Sequence, residues 1–501
     1  MGAATGLSRI AGLIRDMVIA YFFGATAGAD AFFIAFRIPN LFRRLFAEGA
    51  FSQAFVPVLS EYRSQREKAE IRDLLDRVAG SLGVNLAGIT IVGVVGAPLV
   101  ISVFAAGFVF NDQTEKLQLA TDMLRLTFPY LLLISMTAFA GGILNSYGRF
   151  AVPAFTPVLL NLSLILCAIY VRPWLDEPVM ALAWAVLIAG VVQLTFQLPF
   201  LSREGLLPRP KVDFKHEGVK KILMLMLPAL FGVSVGQINL LLDTVLASFL
   251  PTGSLSWLYY SDRLLELPLA LFGITIASVI LPSLSREHAA ASRDDFARTI
   301  DWAVRMVCAI GLPASLALVF LAEPLIATLF FQGEMTRGDV IMASLSLKAY
   351  GAGLLGHMLV KVLAPGYFSR QDTSTPVRYG VVALVSNMIL NLLLIWHLRH
   401  AGLALATSLS AFINAGLLWK GLRGAGVFTP SPGWPVFALQ IGVANGLMLF
   451  ALYWMTPALT NWFELGVFER FVQMLLICVA GALIYGASLW VAGFKFKEMV
   501  R

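Results

Sequence analysis

Charge is what this sequence has least of. Only 13% of its 501 residues are Asp, Glu, Lys or Arg, about half the roughly 25% of an ordinary soluble domain. Such a chain cannot cover itself with a solvated polar skin. A soluble enzyme and a disordered protein are therefore both excluded. Cysteine is nearly absent: Cys167, Cys308 and Cys478 each stand alone in an apolar run. They form no disulfide framework and no metal-ligand spacing, and each is expected to be a small buried apolar residue. No Walker loop occurs, so the chain hydrolyses no nucleotide itself. Of the five histidines only His357 lies deep in an apolar run. No cluster of His and carboxylate marks an active site, and the chain is expected not to be an enzyme.

Apolar residues are what it has in excess, at 58% of the chain with a mean hydropathy of +0.79. The runs are long and unbroken rather than alternating, which selects membrane helices over a β-barrel. Windows of spanning length fall near 7–24, 29–58, 79–106, 121–146, 151–171, 179–200, 220–250, 255–283, 299–330, 340–364, 376–397, 401–421, 434–456 and 468–493. The expected fold is thus an all-α polytopic membrane protein of about 14 transmembrane helices. Basic residues crowd alternate loops, as with Arg63 to Arg77, Arg203 to Lys221, Arg286 to Arg298, and Lys420 with Arg423. The intervening loops hold little more than Lys116, Arg172, Arg337, Arg399 and Arg470. The positive-inside rule then puts both termini in the cytoplasm. The net charge of +7 reflects this orientation pattern, and no nucleic-acid partner is expected. Charge inside the first apolar stretch makes it a functional helix rather than a signal peptide.

The chain repeats itself. Val18 to Phe22 resembles Val245 to Phe249, and Val56 to Ser60 resembles Leu281 to Ser285. Tyr147 to Pro153 resembles Tyr367 to Pro376, and Asn161 to Ile165 resembles Asn391 to Ile395. The matches keep one order and an offset near 220–230 residues. Two six-helix lobes are expected, 1–205 and 215–423. An even number of spans gives both the same orientation, so they are parallel repeats. The helix pair at 430–495 has no counterpart and follows the breaker run Thr429 to Gly433.

Ionisable residues at membrane depth are costly, so they point to function. In the first span, Ser8 and Arg15 are seven apart, as are Arg9 and Asp16, a spacing that returns to one helix face. The second span carries Asp30, Arg37, Asn40, Arg43, Arg44 and Glu48, with Pro39 bending it. Arg44 and Glu48 have the spacing of a helical salt bridge, whereas Arg43 has no carboxylate three or four residues away. In the eighth span Asp262 and Glu266 flank Arg263, whose planar fork matches phosphate. Asn239 and Asp243, Asn387 and Asn391, and Thr407 carry oxygens that suit a hard monovalent cation. The same residue types also hydrogen-bond between membrane helices. Several arginines at depth in two parallel halves imply a cavity for a large anion, and a lipid-linked phosphate fits it.

Ser8-Arg9, Arg15-Asp16, Asp30-Ala31-Phe32-Phe33 and Pro39-Asn40-Leu41-Phe42-Arg43-Arg44 resemble the MurJ (MviN) family of lipid II flippases. So do the stretch from Ala47 to Pro57, Tyr259-Tyr260-Ser261-Asp262-Arg263, and Lys361 to Tyr367. The resemblance covers essentially the whole chain and starts a few residues inside the family's usual beginning. It implies a bacterial inner-membrane protein of the MOP exporter superfamily that flips lipid II, the undecaprenyl-diphosphate-linked peptidoglycan precursor, by alternating access. It places the family's essential cavity arginines on Arg9, Arg15, Arg43 and Arg263; Ser8, Asp16 and Asn40 are expected to bind substrate with them. Asp30, Arg37, Arg44, Glu48, Asp262 and Glu266 would form the supporting charge network. A family cation site would fall on Asp243, Asn387, Asn391 and Thr407, with Na+ or H+ as coupling ion and no other cofactor. Membrane lipids and peptidoglycan-synthesis proteins are the further partners it implies. A cation-coupled multidrug exporter of the same superfamily is the alternative, although a pocket for cationic drugs should be acidic or aromatic. A polyprenyl glycosyltransferase would need catalytic carboxylates beside a substantial outer loop, and the outer loops are short.

Overall fold

The computed structural model describes residues 2–290 and 292–494, excepting the side chains of 2–5, 46–49, 229, 231–236, 274–275 and 277–279. Among these residues all regular structure is helical and no strand occurs, so the expected all-α class holds. Eight helices are long and apolar enough to cross a membrane by length and composition. One of them, Ser374–Gly424, contains two of the expected spans, because Arg399 leaves helical geometry at φ 52°, ψ −130° and turns the chain back. Charge keeps the first helix outside a purely apolar criterion, since it carries Arg9, Arg15 and Asp16. Val92, Trp396, Phe450 and Leu475 stand exposed, a surface suited to lipid rather than water.

The chain forms two compact units, 1–256 and 257–501. Unit 1 contains α1 (Gly2–Phe23), α2 (Ala27–Phe42), α3 (Phe51–Gln65), α4 (Lys68–Val95), α5 (Ala97–Phe104), α6 (Ala106–Phe110), α7 (Thr114–Thr127), α8 (Tyr130–Ser146), α9 (Ala151–Leu166), α10 (Met180–Arg203) and α11 (Glu217–Ser248). Its core gathers Phe51, Phe55, Leu74, Phe139, Leu201 and Ile222, with the Phe51 and Phe55 rings stacked at 5.1 Å. α11, the first helix of the second expected repeat, packs on α3 within this unit.

Two local features of unit 1 position charged groups. Pro39 has no N–H, so the carbonyl of Ala35 loses its helical partner. The hydroxyl of Thr127 donates to that carbonyl at 3.4 Å. Past Pro39 the helix widens into a π-helical stretch, Arg43–Ala50, before α3. The segment after α10 is laid along α4: Lys211 N donates to Asp76 O at 2.9 Å and Arg209 N to Asp76 Oδ1 at 2.7 Å. Gly80 makes this possible, because a Cβ there would lie 2.2 Å from the Lys211 carbonyl oxygen.

Unit 2 holds α12 (Ser254–Pro268), which begins at the boundary, then α13 (Ile274–Ala289), α14 (Arg293–Phe320), α15 (Ala322–Phe330), α16 (Arg337–Leu363), α17 (Pro365–Phe368), α18 (Ser374–Gly424), α19 (Trp434–Met455), α20 (Leu459–Glu464) and α21 (Val467–Val491). α16 and α18 approach closely at small residues, a packing typical of membrane helices. Ser408 Oγ donates to Ala349 O at 2.7 Å, and a Cβ on Gly353 would meet the Ser408 side chain at 2.3 Å.

The final helix pair is fastened to unit 2 at both ends. Buried Asp301 of α14 pairs with Arg305 at 3.0 Å and accepts from the Trp434 indole at 2.8 Å. At the other end, buried Arg470 of α21 donates to the carbonyls of Ala327 and Phe331 at 3.0 and 2.9 Å. The Trp462 indole donates to Thr328 Oγ1 at 3.0 Å. Cys167 is buried and Cys308 half-buried, but Cys478 is exposed, against the expectation that all three are buried. The reason is its place on the outer face of α21, a helix with most of its apolar surface uncovered.

Candidate functional site: arginines at depth

α1 places Arg15 and Asp16 side by side, and both are buried, at 7% and 1% exposure. Adjacent residues diverge on a helix, but the long arginine folds back. Its Nε and Nη2 donate to Asp16 Oδ1 at 2.9 and 2.7 Å. Its Nη1 donates to Asn161 Oδ1 of α9 at 2.9 Å. Asn161 Nδ2 in turn donates to the Ser8 carbonyl at 3.1 Å. α9 passes α1 at Gly12, where a Cβ would make an ordinary 3.7 Å contact with Asn161 Nδ2. Ser8 therefore joins the group through its backbone, and Asp16 serves Arg15 rather than Arg9. Arg9 lies about two turns earlier, half-buried, without a hydrogen bond or ion pair among the described residues.

α2 supplies the next cations. Arg37 is half-buried and donates to Thr244 Oγ1 of α11 at 2.7 Å. It has no carboxylate partner among the described residues. Arg43 opens the π-helical stretch and donates from Nε to Asn40 Oδ1 at 3.1 Å, so the turn after Pro39 aims this pair. Such wide turns recur at functional positions in helices. Arg44 is exposed. The Glu48 side chain lies outside the described residues, as do Lys495, Lys497 and Arg501.

Asp30 belongs to a different group from the arginines. It is 1% exposed and accepts four donors: Lys116 Nζ at 2.9 Å, Gly253 N at 2.8 Å, Ser256 N at 3.0 Å and Ser256 Oγ at 2.7 Å. Lys116 is buried as well, with its ammonium 4.3 Å from the Phe108 ring centre. This is a fully bonded buried ion pair with a structural role.

In unit 2, α12 carries Arg263, whose Nη1 donates to Glu266 Oε2 at 2.7 Å. The guanidinium lies 4.9 Å from the Tyr259 ring centre. Its side chain keeps 32% of its exposure. A partly open guanidinium steadied by an acid and a ring presents a planar fork whose shape matches an anion such as phosphate. Asp262 is half-buried in the same turn.

The candidate cation ligands of unit 2 form one chain. Asn391 Nδ2 donates to Asn387 Oδ1 at 2.8 Å, and Asn387 Nδ2 reaches Thr407 Oγ1 at 3.4 Å. Both asparagines are fully buried at 0% exposure. Asp243 is half-buried in α11 of unit 1. No group of three or more His, Cys, Asp or Glu side chains with metal-binding geometry occurs among the described residues.

Sequence reasoning missed Asn161, Thr244 and Ser256, each of which holds a charged group in place. The available signal was a polar residue inside an apolar span, which does not identify its partner.

A family profile described as "Lipid II flippase MurJ" matches residues 19–473. The "Probable lipid II flippase MurJ" of Vibrio cholerae is 50% identical over 504 residues, covering 100% of this chain and 96% of that protein. A solved structure described as "Lipid II flippase MurJ, inward closed conformation" superposes with a TM-score of 0.80 at 26% identity, covering 100% of this chain and 99% of the other. The inward-facing structure of a multidrug resistance MATE transporter of the MOP superfamily gives a TM-score of 0.70 at 15% identity, covering 84% and 95%. That likeness is one of fold alone.

Proposed function

The chain belongs to the MurJ family, and from that premise we propose that it flips lipid II from the cytoplasmic to the periplasmic leaflet of the bacterial inner membrane. The observation that carries this reading is the set of arginines on membrane helices. Arg9 and Arg37 are half-buried cations without a carboxylate partner among the described residues, and Arg43 is turned by Asn40. A sugar-peptide diphosphate cannot cross hydrocarbon unaided, because its polar groups would lose their water. A hydrated cationic cavity replaces that water with guanidinium donors matched to diphosphate oxygens.

In this proposal Arg9, Arg15, Arg43 and Arg263 bind the diphosphate head and access alternates from one leaflet to the other. The lobes 1–205 and 215–423 are the alternating bodies, and the pair at 430–495 guides the lipid tail. Both termini face the cytoplasm. A potential that is negative inside favours outward movement of an anion by about 2.3 kcal/mol per charge per 100 mV. Na+ or H+ at Asp243, Asn387, Asn391 and Thr407 would reset the carrier. Peptidoglycan-synthesis proteins, which make and consume such a substrate, are its natural partners. No bond is made or broken, so the protein acts as a transporter and not as an enzyme.

The test is translocation of labelled lipid II in proteoliposomes. Wild type flips it, while Arg15→Ala, Arg43→Ala and Arg263→Ala do not. Retained flipping in all three overturns the proposal. The alternative, a multidrug exporter, predicts cationic drug efflux with no response to these substitutions. It is disfavoured because the buried acids Asp16 and Asp30 are already bonded to Arg15 and Lys116, while Arg9 and Arg37 have no carboxylate partner among the described residues.

A further inference from the structure

At one end of unit 2 a cavity of about 310 Å³ opens between the last turn of α13, the first turn of α14, the segment after α17 and the segment after α18. Arg293 and Arg370 line it, together with Glu287, His288, Phe296 and Gly426. Neither arginine side chain makes a hydrogen bond or ion pair among the described residues; Arg370 is half-buried and Arg293 exposed. Two other basic groups nearby are engaged elsewhere. Arg298 bonds Asp295 at 2.5 Å, and Arg286 reaches Ser283 Oγ at 3.5 Å. Glu287, the acid lining the cavity, takes the Thr299 hydroxyl at 2.8 Å instead of either arginine. The His288 ring lies 6.4 Å from that of Phe296. Asp372 sits close enough to Arg370 to feel its charge, but its carboxylate accepts from Thr375 N at 3.0 Å and Ser374 Oγ at 3.1 Å.

Two guanidinium forks thus face one small chamber with their donors unspent. A half-buried guanidinium without a partner, as at Arg370, is unfavourable, and the planar forks of both arginines match phosphate oxygens. The chamber lies at the small end of the range for ligand pockets, about 300–1,000 Å³. It suits a phosphate group with a short ester arm and not a sugar-peptide head.

We propose that this cavity binds a phosphate-bearing anion, separately from the arginines at depth. The neighbouring basic residues belong to the loops that the positive-inside pattern assigns to the cytoplasm. Either a phospholipid headgroup of that leaflet or a soluble phosphate ester would present the required chemistry there.

The test has two arms, both on the full chain in phosphatidylcholine nanodiscs. One titrates inorganic phosphate, and the other adds phosphatidylglycerol and counts bound lipids by native mass spectrometry. Arg293→Gln/Arg370→Gln should weaken binding by about tenfold or more in one arm, as loss of charged hydrogen bonds implies. Loss in the first arm assigns a soluble phosphate, and loss in the second assigns a headgroup. Glu287→Gln, which keeps both forks and removes the opposing charge, should tighten binding several-fold. The difference between wild type and the double variant should persist in an Arg43→Ala background, which separates this site from the lipid II reading. Equal binding by wild type and the double variant in both arms overturns the proposal, as does weaker binding by Glu287→Gln.

Discussion

Ser256 donates both its amide and its hydroxyl to one carboxylate oxygen of Asp30, at 3.0 and 2.7 Å. The other oxygen takes Lys116 Nζ at 2.9 Å and the Gly253 amide at 2.8 Å. One buried acid therefore ties α2 to α7 and to residues 253–256 of the same unit. A buried pair of this kind adds little net stability against an apolar equivalent, but losing one partner strands the other. Lys116→Met should cost about 3–5 kcal/mol, seen as a lower unfolding temperature in detergent. Lys116→Met/Asp30→Leu should cost less than the sum of the two single changes. Strictly additive losses would show that the two residues do not act as a pair.

Arg15 and Arg43 should fail in different ways. Arg15 is buried in a network with Asp16 and Asn161, so Arg15→Ala breaks a buried ion pair, at a cost of about 3–5 kcal/mol. Arg43 is half-buried and bonds the Asn40 amide oxygen, so Arg43→Ala should cost about 1.5 kcal/mol or less. Both variants should stop lipid II translocation, yet only Arg15→Ala should lower the unfolding temperature substantially. Paired melting and flipping measurements check this. Equal destabilisation would give Arg43 a structural role.

The difference between these arginines also marks how far the sequence could be read. The membrane class was legible because long apolar runs admit one solution in lipid, and charged residues within those runs stood out by their cost. Their partners were not legible. Asp30 and Lys116 are 86 positions apart, and Lys116 reads as an ordinary outer-loop base until the fold buries it. Asn161 reads as one more polar residue in an apolar span until α9 meets α1 at Gly12. Helical spacing linked Arg9 with Asp16, whereas the flexible Arg15 side chain reached its own neighbour. Periodicity describes the helix surface, and a long side chain can leave the face it starts from.

The Asn387–Asn391–Thr407 chain permits a test of ion coupling. All three polar groups are already linked, so Asn387→Ala should cost about 0.6–2 kcal/mol from lost interhelical bonding alone. Sodium coupling adds a second effect: NaCl should raise the unfolding temperature of wild type more than choline chloride does, and Asn387→Ala and Thr407→Val should abolish that difference. Proton coupling instead predicts no sodium effect and flipping that follows an imposed pH gradient. If neither ion matters to wild type, the chain of amides is purely structural.

The segment after α10 should loosen in acid. Backbone donation from Lys215 N, at 2.9 Å, holds the Asp213 carboxyl below its ordinary value of 3.8, and the Arg77 guanidinium bonded to it acts in the same direction. A lowered folded-state value means that this contribution is complete above pH 3.8 and disappears as the pH falls through the lowered value. The reporters are the amides of Arg209, Lys211 and Asp213, which bond Asp76 and Ser81. Their hydrogen-exchange protection, corrected for intrinsic rates, should stay constant from about pH 7 down to about pH 5 and fall below about pH 4, where carboxylates titrate. Asp213→Asn removes the charge at every pH, so its protection should already be reduced at neutrality and should fall less on acidification. Protection that is insensitive to both acid and the substitution would mean that the Gly80 contact alone seats this segment on α4.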